Sequence, residues 1–402
     1  MSQMSKLWRG AGVVALVVGL GSFYAISTQA SAGAATGAPI TVGVVCTCSG
    51  SFGADIMAAE QTYEAWVDTT NKAGGIDGHK IKLTLEDDAG NPGTSVSDAQ
   101  TLVSDHVDAI LDFSIVDQAW ASTVQASKIP VVGGDETETP YYTSPDFYPE
   151  GQTNDSVTYA NVLTAKKAGA TNLGDLYCAE APSCAEGVPP IEAAGQKLSV
   201  PVVYNAEIAA TAPNYTAQCV AAQQAKVSAI FVGDASAIIS RVAANCAQQS
   251  YNPIWITEGE GFGLQMAATP GLKDKLWSDY GTAPFFDHIP AISAMNKAVD
   301  KYYPGLRNNQ NAWTQIAAEA WASGILLGDA VTASHIGTTG TPGPAEIVKG
   351  LQSLKNDTLQ GMAPPLNFKA GKDHSIDCWF TARVQNGAPT VVNAGRVTCE
   401  KG

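Results

Sequence analysis

The 402-residue sequence predicts an α/β fold with parallel sheets covered by helices on both faces, divided between two lobes. Three observations carry this. Short β-branched runs alternate with helix-spaced runs from residue 40 to about 259. The stretch "NKAGGIDGHKIKLTLEDDAGNP" (71–92) leaves a helix through paired glycines and runs one alternating strand into an acidic, Gly/Pro-marked loop. About 370 residues beyond an apolar leader exceed one ordinary core.

Residues 1–32 read as a cleaved export signal. Lys6 and Arg9 form a positive start, Ala11 to Ile26 is apolar, and Ala30-Ser31-Ala32 is a small-residue cleavage pattern. A membrane anchor is the rival reading, but Gly, Ser and Thr dilute the run. The expected location is the periplasm or cell surface, with the leader cut near Ala32. A linker (33–39) leads into the strand "ITVGVV" and the loop "CTCSGSFG". Ile56, Ala59, Tyr63, Trp66 and Val67 then recur at helical spacing, so 54–73 is a helix, ended by Gly74-Gly75. "KIKLTLE" follows as a half-buried strand, and Asp87 and Asp88 are expected to cap the helix after "GNPG" and to shape the loop before it.

Further strands are "VDAILDF", "IPVVGG", "NLGDLYC", "VPVVYNAEI", "SAIFVGD" and "PIWITEG". Helices lie near 95–106, 118–127, 155–168, 187–197, 214–225 and 236–249. In open α/β sheets ligands bind beyond the carboxyl ends of the strands, so these loops mark the site. From about 285 helices dominate (287–302, 311–333, 344–355), and residues 364–392 read as a hairpin with turns at Gly371-Lys372 and Asn386-Gly387. The expected lobes are 40–150 with 285–376, and 151–284 with 377–402, tied by three crossings that hinge.

Removing the leader leaves 21 Lys and Arg against 38 Asp and Glu, a charge of about −17. That excludes nucleic acid and an anionic membrane surface as partners. Eight cysteines suit an oxidising compartment. Cys178 and Cys184 bracket a short loop, Cys219 and Cys246 lie on successive helices, and Cys378 and Cys399 bracket the last hairpin, so each is expected to pair. Cys46 and Cys48 are too close along a strand to bridge without strain. No C-x-x-C pair or histidine cluster supports a metal, and no cofactor is expected.

The residues "G-x-x-x-x-x-S-G" before a helix, then "N-x-x-G-G-I-x-G-x-x-I-x-L-x-x-x-D-D", resemble the Leu/Ile/Val-binding family of ABC-transporter receptors, whose fold is the type I periplasmic binding protein. "IPVV…T" at 129–137, "VDAILDF" and "PLNF…G" at 365–371 add to the match. The resemblance implies two Rossmann-like lobes closing on a small polar solute, an amino acid or a related amide or organic acid, and a membrane permease as partner. A monomer is expected. It implies that Ser114 and Thr137 meet the α-carboxylate and α-ammonium, and that Glu258 or Glu260 reaches in from the second lobe. The family's second-lobe tyrosine falls near Ala235-Ser236, so Ser236 stands there instead. Its "SPGAT" turn reads "GGDET", which brings Asp135 and Glu136 to the site.

Phe52, Trp120, Tyr141, Tyr142, Phe262, Phe285 and Phe286 fall near strand ends or crossings, as core or as a platform for the solute. Trp313 and Trp321 read as packing. There is no G-x-S-x-G, P-loop or H-E-x-x-H motif, so no enzyme is expected. A ligand-sensing ectodomain and an exported hydrolase on the same scaffold are the alternatives.

Overall fold

The computed structural model describes residues 35–50, 53–180, 182–310 and 312–400. The leader, its cleavage near Ala32 and Phe52 lie outside the described residues. The first sheet is parallel throughout. Its strands are β1 (Ile40–Cys46), β2 (Ile81–Asp87), β3 (Ala109–Phe113), β4 (Val131–Val132) and β5 (Phe147–Tyr148), in the order β2-β1-β3-β4-β5. The order reverses between β1 and β3, and such a switch point parts the flanking loops into a crevice.

Helices α1 (Gly53–Lys72), α2 (Pro92–Ser104), α3 (Asp117–Ser127) and α4 (Pro140–Thr143) belong to this half of the chain. α1 ends as the glycine pair predicts. Gly75 has a φ of 79° and its N–H reaches the Thr70 carbonyl at 2.9 Å. A Cβ there would stand 2.1 Å from the His79 carbonyl oxygen, so only glycine makes the turn. The cap of α2 is Asn91, not Asp87 or Asp88: its side chain accepts from the N–H groups of Gly93 and Thr94. Pro92 opens the first turn, which places the cap immediately before it. The two aspartates hold the preceding loop instead. Asp88 accepts from Thr47 Oγ1, Ser114 Oγ and the Gly90 N–H.

The second sheet is mixed. It follows α5 (Asn154–Lys167) and contains β6 (Leu173–Cys178), β7 (Val202–Ile208), β8 (Ala229–Gly233), β9 (Ile254–Glu258) and β10 (Leu276–Tyr280) in parallel. Helices α6 (Pro182–Glu186), α7 (Val188–Leu198), α8 (Thr216–Gln224) and α9 (Ser236–Gln248) join these strands. The chain then forms α10 (Pro290–Tyr302), α11 (Gln315–Ser334) and α12 (Pro344–Ser353), of which α10 and α11 pack on α1. It returns as β11 (Cys378–Gln385), β12 (Ala388–Val391) and β13 (Thr398–Cys399), with β11 antiparallel to β10. The order is β12-β11-β10-β9-β8-β6-β7.

Besides the short elements β5, α4 and α6, which the sequence reading does not name, two longer stretches differ from it. "LWSDY" forms β10, which no periodicity announces, because strand neighbours on both sides supply its pattern. The hairpin is confined to β11 and β12, around Asn386-Gly387 with positive φ at both residues. The stretch before it satisfies its backbone elsewhere: Ile376 receives the Thr153 N–H and Ser156 Oγ and donates to Thr153 Oγ1.

The segments that pass between the sheets run side by side. Gln152 N–H donates to the Gly281 carbonyl and Thr153 N–H to that of Ile376. A Cβ on Gly151 would lie 2.7 Å from the Gly281 carbonyl carbon, so the crossing depends on that glycine. The three expected disulfides are present, Cys178–Cys184, Cys219–Cys246 and Cys378–Cys399. Cys46 and Cys48, whose state their spacing left open, are paired as well. The chain bends as it leaves β1, which brings their Cα atoms to 5.2 Å, within bridging range, while Thr47 N–H still reaches the Phe113 carbonyl. No helix among the described residues is long and apolar enough to cross a membrane.

Candidate functional site

The carboxyl ends of both sheets border one cleft, with a cavity of about 160 Å³. From the first sheet come Phe113 at the end of β3, Ile115, and the loop residues Asp135, Thr137 and Glu138 beyond β4. Ile56 of α1 and Ile316 of α11 floor the same side. Facing them are Asp175 and Tyr177 of β6, Ile191 of α7, and Phe231 of β8. Glu258 at the end of β9, with Asp234 and Glu260 from the loops beyond β8 and β9, completes that wall.

Strand register explains this second wall. Asp175 is level with Phe231 and Tyr177 with Gly233, so alternate residues of two neighbouring strands present one face. The bridge between Cys178 and Cys184, both at the cleft, closes the loop that leads into α7.

The cleft pairs an apolar body with an acidic rim. Among the described residues six carboxylates line it, from Asp135, Glu138, Asp175, Asp234, Glu258 and Glu260, and no lysine, arginine or histidine does. Burial dominates their chemistry. Loss of water pushes the Glu138 carboxyl up to about 9, with the Asp135 charge adding to it. Asp175 rises to about 7, through burial and then the nearby charges of Glu258 and Glu192. Glu258 also rises to about 7, through burial and then Asp135. Behind the rim lie further buried acids: Asp112 and Glu150 are each raised by burial to about 8. Glu150 accepts from the Gly134 N–H and Ser323 Oγ. Such a wall favours a group that brings positive charge or N–H donors, since these lower the cost of the ionised carboxylates.

The residues expected from the sequence fall into three groups. Thr137, Asp135, Glu258 and Glu260 come together at the cleft, so both glutamates of "ITEGEG" face it. Thr137 Oγ1 and N–H both donate to Asp135 Oδ1, which fixes that turn. Glu136 lines an adjoining void rather than the cleft. Ser114 is fully buried and its hydroxyl donates to Asp88 Oδ2 at 2.5 Å while accepting from Val116 N–H. Ser236 is buried at the start of α9, where its hydroxyl accepts from Gln265 Nε2.

The described aromatic residues singled out from the sequence pack elsewhere. Trp120 and Tyr141 cluster with Phe147, and Phe262, Phe285 and Phe286 cluster with Tyr280. Trp313 and Trp321 are buried in the core. Among the described residues, the rings at the cleft are Phe113, Tyr177 and Phe231, none of which sequence reasoning selected. Asp175 and Glu138 were missed too. Asp175 did leave a trace, an acid in the middle of an otherwise apolar buried strand, "NLGDLYC".

The chain was compared with known families and structures. The family model described as "Periplasmic binding protein" matches residues 39–389. Among curated proteins, the Leu/Ile/Val-binding protein homolog 3 of Brucella melitensis is 33% identical over 117 residues, 29% of this chain. The match spans about a third of that relative's length, 31%. A fatty acid ABC transporter substrate-binding protein from Thermomonospora curvata superposes with a TM-score of 0.73 at 19% identity, covering 88% of this chain and 91% of its own. A leucine binding protein from Thermotoga maritima gives 0.71 at 14% identity, covering 90% and 99%. At these identities the structural likeness concerns the fold.

Proposed function

The chain belongs to the periplasmic binding protein family, and on that premise we propose that it is the exported solute receptor of an ABC importer. Its two lobes are 40–150 with 285–376, and 151–284 with 377–402, and they close on one small nitrogenous solute. The observation that carries the solute class is the cleft wall, which among the described residues has six carboxylates and no basic side chain around an apolar floor. A protonated amine or amidinium meets these carboxylates, and its short hydrocarbon body meets Phe113, Phe231 and Ile191. A carboxylate solute would add a further negative charge to a wall that burial already holds back from ionising. The cavity of about 160 Å³ suits a body near the size of a six-carbon ring, since an apolar void of about 150 Å³ holds benzene.

The mechanism is selection of a closed state. Asp135, Thr137 and Glu138 stand on one side and Asp175, Asp234 and Glu258 on the other, so a solute gains its second set of contacts only when the halves meet. The permease then reads the closed form. Names of relatives support both an amino-acid and a fatty-acid cargo within the fold. The acidic rim favours the amine-bearing end of that range.

Calorimetry with isopentylamine, leucinamide, leucine and isovalerate tests the reading, because the four share one branched body and differ in charge. The amine and leucinamide should bind tightest and isovalerate should not bind. Small-angle scattering at saturation should show a smaller radius of gyration. Isovalerate as the tightest ligand, or an unchanged radius with every ligand that binds, would refute the solute class or the closure respectively.

A further inference from the structure

A second void, of about 20 Å³, adjoins the cleft where the crossing segments meet, and shares Thr137, Glu258 and Glu260 with it. Gln152 and Gly281, hydrogen-bonded across the passage between the sheets, form part of its wall. Among the described residues five carboxylates line it, from Glu136, Glu258, Glu260, Asp279 and Glu319, and no basic residue does. Glu136, Glu260 and Glu319 each bring one carboxylate oxygen to within 4.8 Å of the others. Three acceptors on its lining are orphaned: Glu136 Oε1, Asp279 Oδ2 and Glu319 Oε2 have no hydrogen-bond partner, on side chains 3%, 3% and 2% exposed. Glu136 Oε1 is directed at the crossing, 2.6 Å from where a Cβ of Gly151 would stand.

Buried acceptors without donors and like charges at this range both call for a positive guest. The size of the void decides which. It exceeds the roughly 10–15 Å³ that one water-sized guest requires, and it is too small for an organic amine. Calcium takes carboxylate oxygens at about 2.3–2.6 Å, so its ligands span up to about 5 Å, whereas magnesium at about 2.0–2.1 Å draws them to about 4 Å. The three oxygens lie within 4.8 Å of one another, a range that either ion can span, but a void with room for one water-sized guest disfavours magnesium, which usually keeps several waters. Thr137 and Gln152 in the same wall carry neutral oxygens that suit calcium's higher coordination number.

We propose that Glu136, Glu260 and Glu319 form a binding site for a divalent cation of calcium's size and hardness, placed at the crossing between the two sheets. Glu136 follows β4, Glu319 sits on α11 against α1, and Glu260 follows β9, so one ion joins both sides of the passage. The ion therefore favours the arrangement in which the second sheet's loop lies close to the first. No metal-ligand spacing is visible in the sequence, because these glutamates are brought together only by folding.

The test uses the full chain, stripped with chelator and dialysed, in the absence of solute, so its outcome is separate from that of the solute series. Calcium chloride is titrated calorimetrically and melting temperature is recorded. One calcium per chain should bind below about 1 mM, the weak end for extracellular modules, and should raise the melting temperature. Magnesium should bind more than about tenfold more weakly. Glu319→Gln and, separately, the half-buried Glu260→Gln should each lower calcium affinity more than about tenfold while melting cooperatively without metal. No saturable calcium heat and no thermal shift, or the same calcium affinity in both variants, would overturn the site.

Discussion

Asp175→Asn separates the stability of the fold from the recognition of the solute. The carboxyl sits on β6 at 2% exposure, its Oδ1 has no hydrogen-bond partner, and burial followed by the Glu258 charge lifts it to about 7. In the unfolded chain an aspartate ionises near 3.9, so folding binds a proton here that the unfolded state has lost. A raised carboxyl contributes stability that is fully present below about 4 and is lost as pH rises through about 7. Between pH 5 and pH 8 this one group should cost the wild type between about 2 and 3 kcal/mol, at about 1.4 kcal/mol for each pH unit in which only the unfolded state is ionised. Asparagine keeps the shape and removes the titration, at a constant cost of about 1–3 kcal/mol for a poorly paired amide. The variant should therefore be the less stable protein at pH 5 and should lose its deficit, or overtake the wild type, at pH 8. Urea denaturation at the two pH values measures this, and calorimetry with isopentylamine at pH 8 should show affinity weakened by about tenfold or more. Parallel pH dependences of wild type and variant would refute the claim that the Asp175 carboxyl is held protonated by burial.

Two further outcomes follow from the geometry. The double variant Cys178→Ser/Cys184→Ser, which leaves no odd thiol, should lose about 2 kcal/mol in denaturant melts for a loop of this length, and should bind solute more weakly because both residues border the cleft; an unchanged midpoint would show that the loop is already fixed by its packing. Gly151→Ala forces a Cβ to within 2.7 Å of the Gly281 backbone, so the crossing segments must part, at a cost of about 1–3 kcal/mol and with an altered radius of gyration in the solute-free protein; wild-type stability and radius would mean that the passage yields freely.

Much of the architecture was legible because its determinants are local. Alternation of period two marked the strands, helical spacing marked α1, and Gly74-Gly75 marked the turn between α1 and β2. The disulfide at the cleft was legible from six-residue spacing alone. Where local signals compete, the reading slipped. Asp87 and Asp88 are as good caps as Asn91 by residue type, and only the backbone path after Pro92 selects the latter. Cys46 and Cys48 look unbridgeable on an ideal strand, and the bend after β1 brings them within reach.

By itself the sequence determined the alternation of strands and helices, the acidic balance and the three local cysteine pairs, since each depends on neighbours a few residues apart. Tertiary structure decided the site. Ser114 carries a hydroxyl suited to a solute, but the packed loop after β2 turns it to Asp88, while Asp175, marked in sequence only as an acid inside an apolar strand, reaches the cleft because β6 and β8 are level. Glu136, Glu260 and Glu319 have no shared periodicity, and they meet because the strand ends of two sheets and one returning helix border the same passage. The raised carboxyls follow from that meeting, for desolvation and charge repulsion depend on the volume shared by side chains and not on their order along the chain.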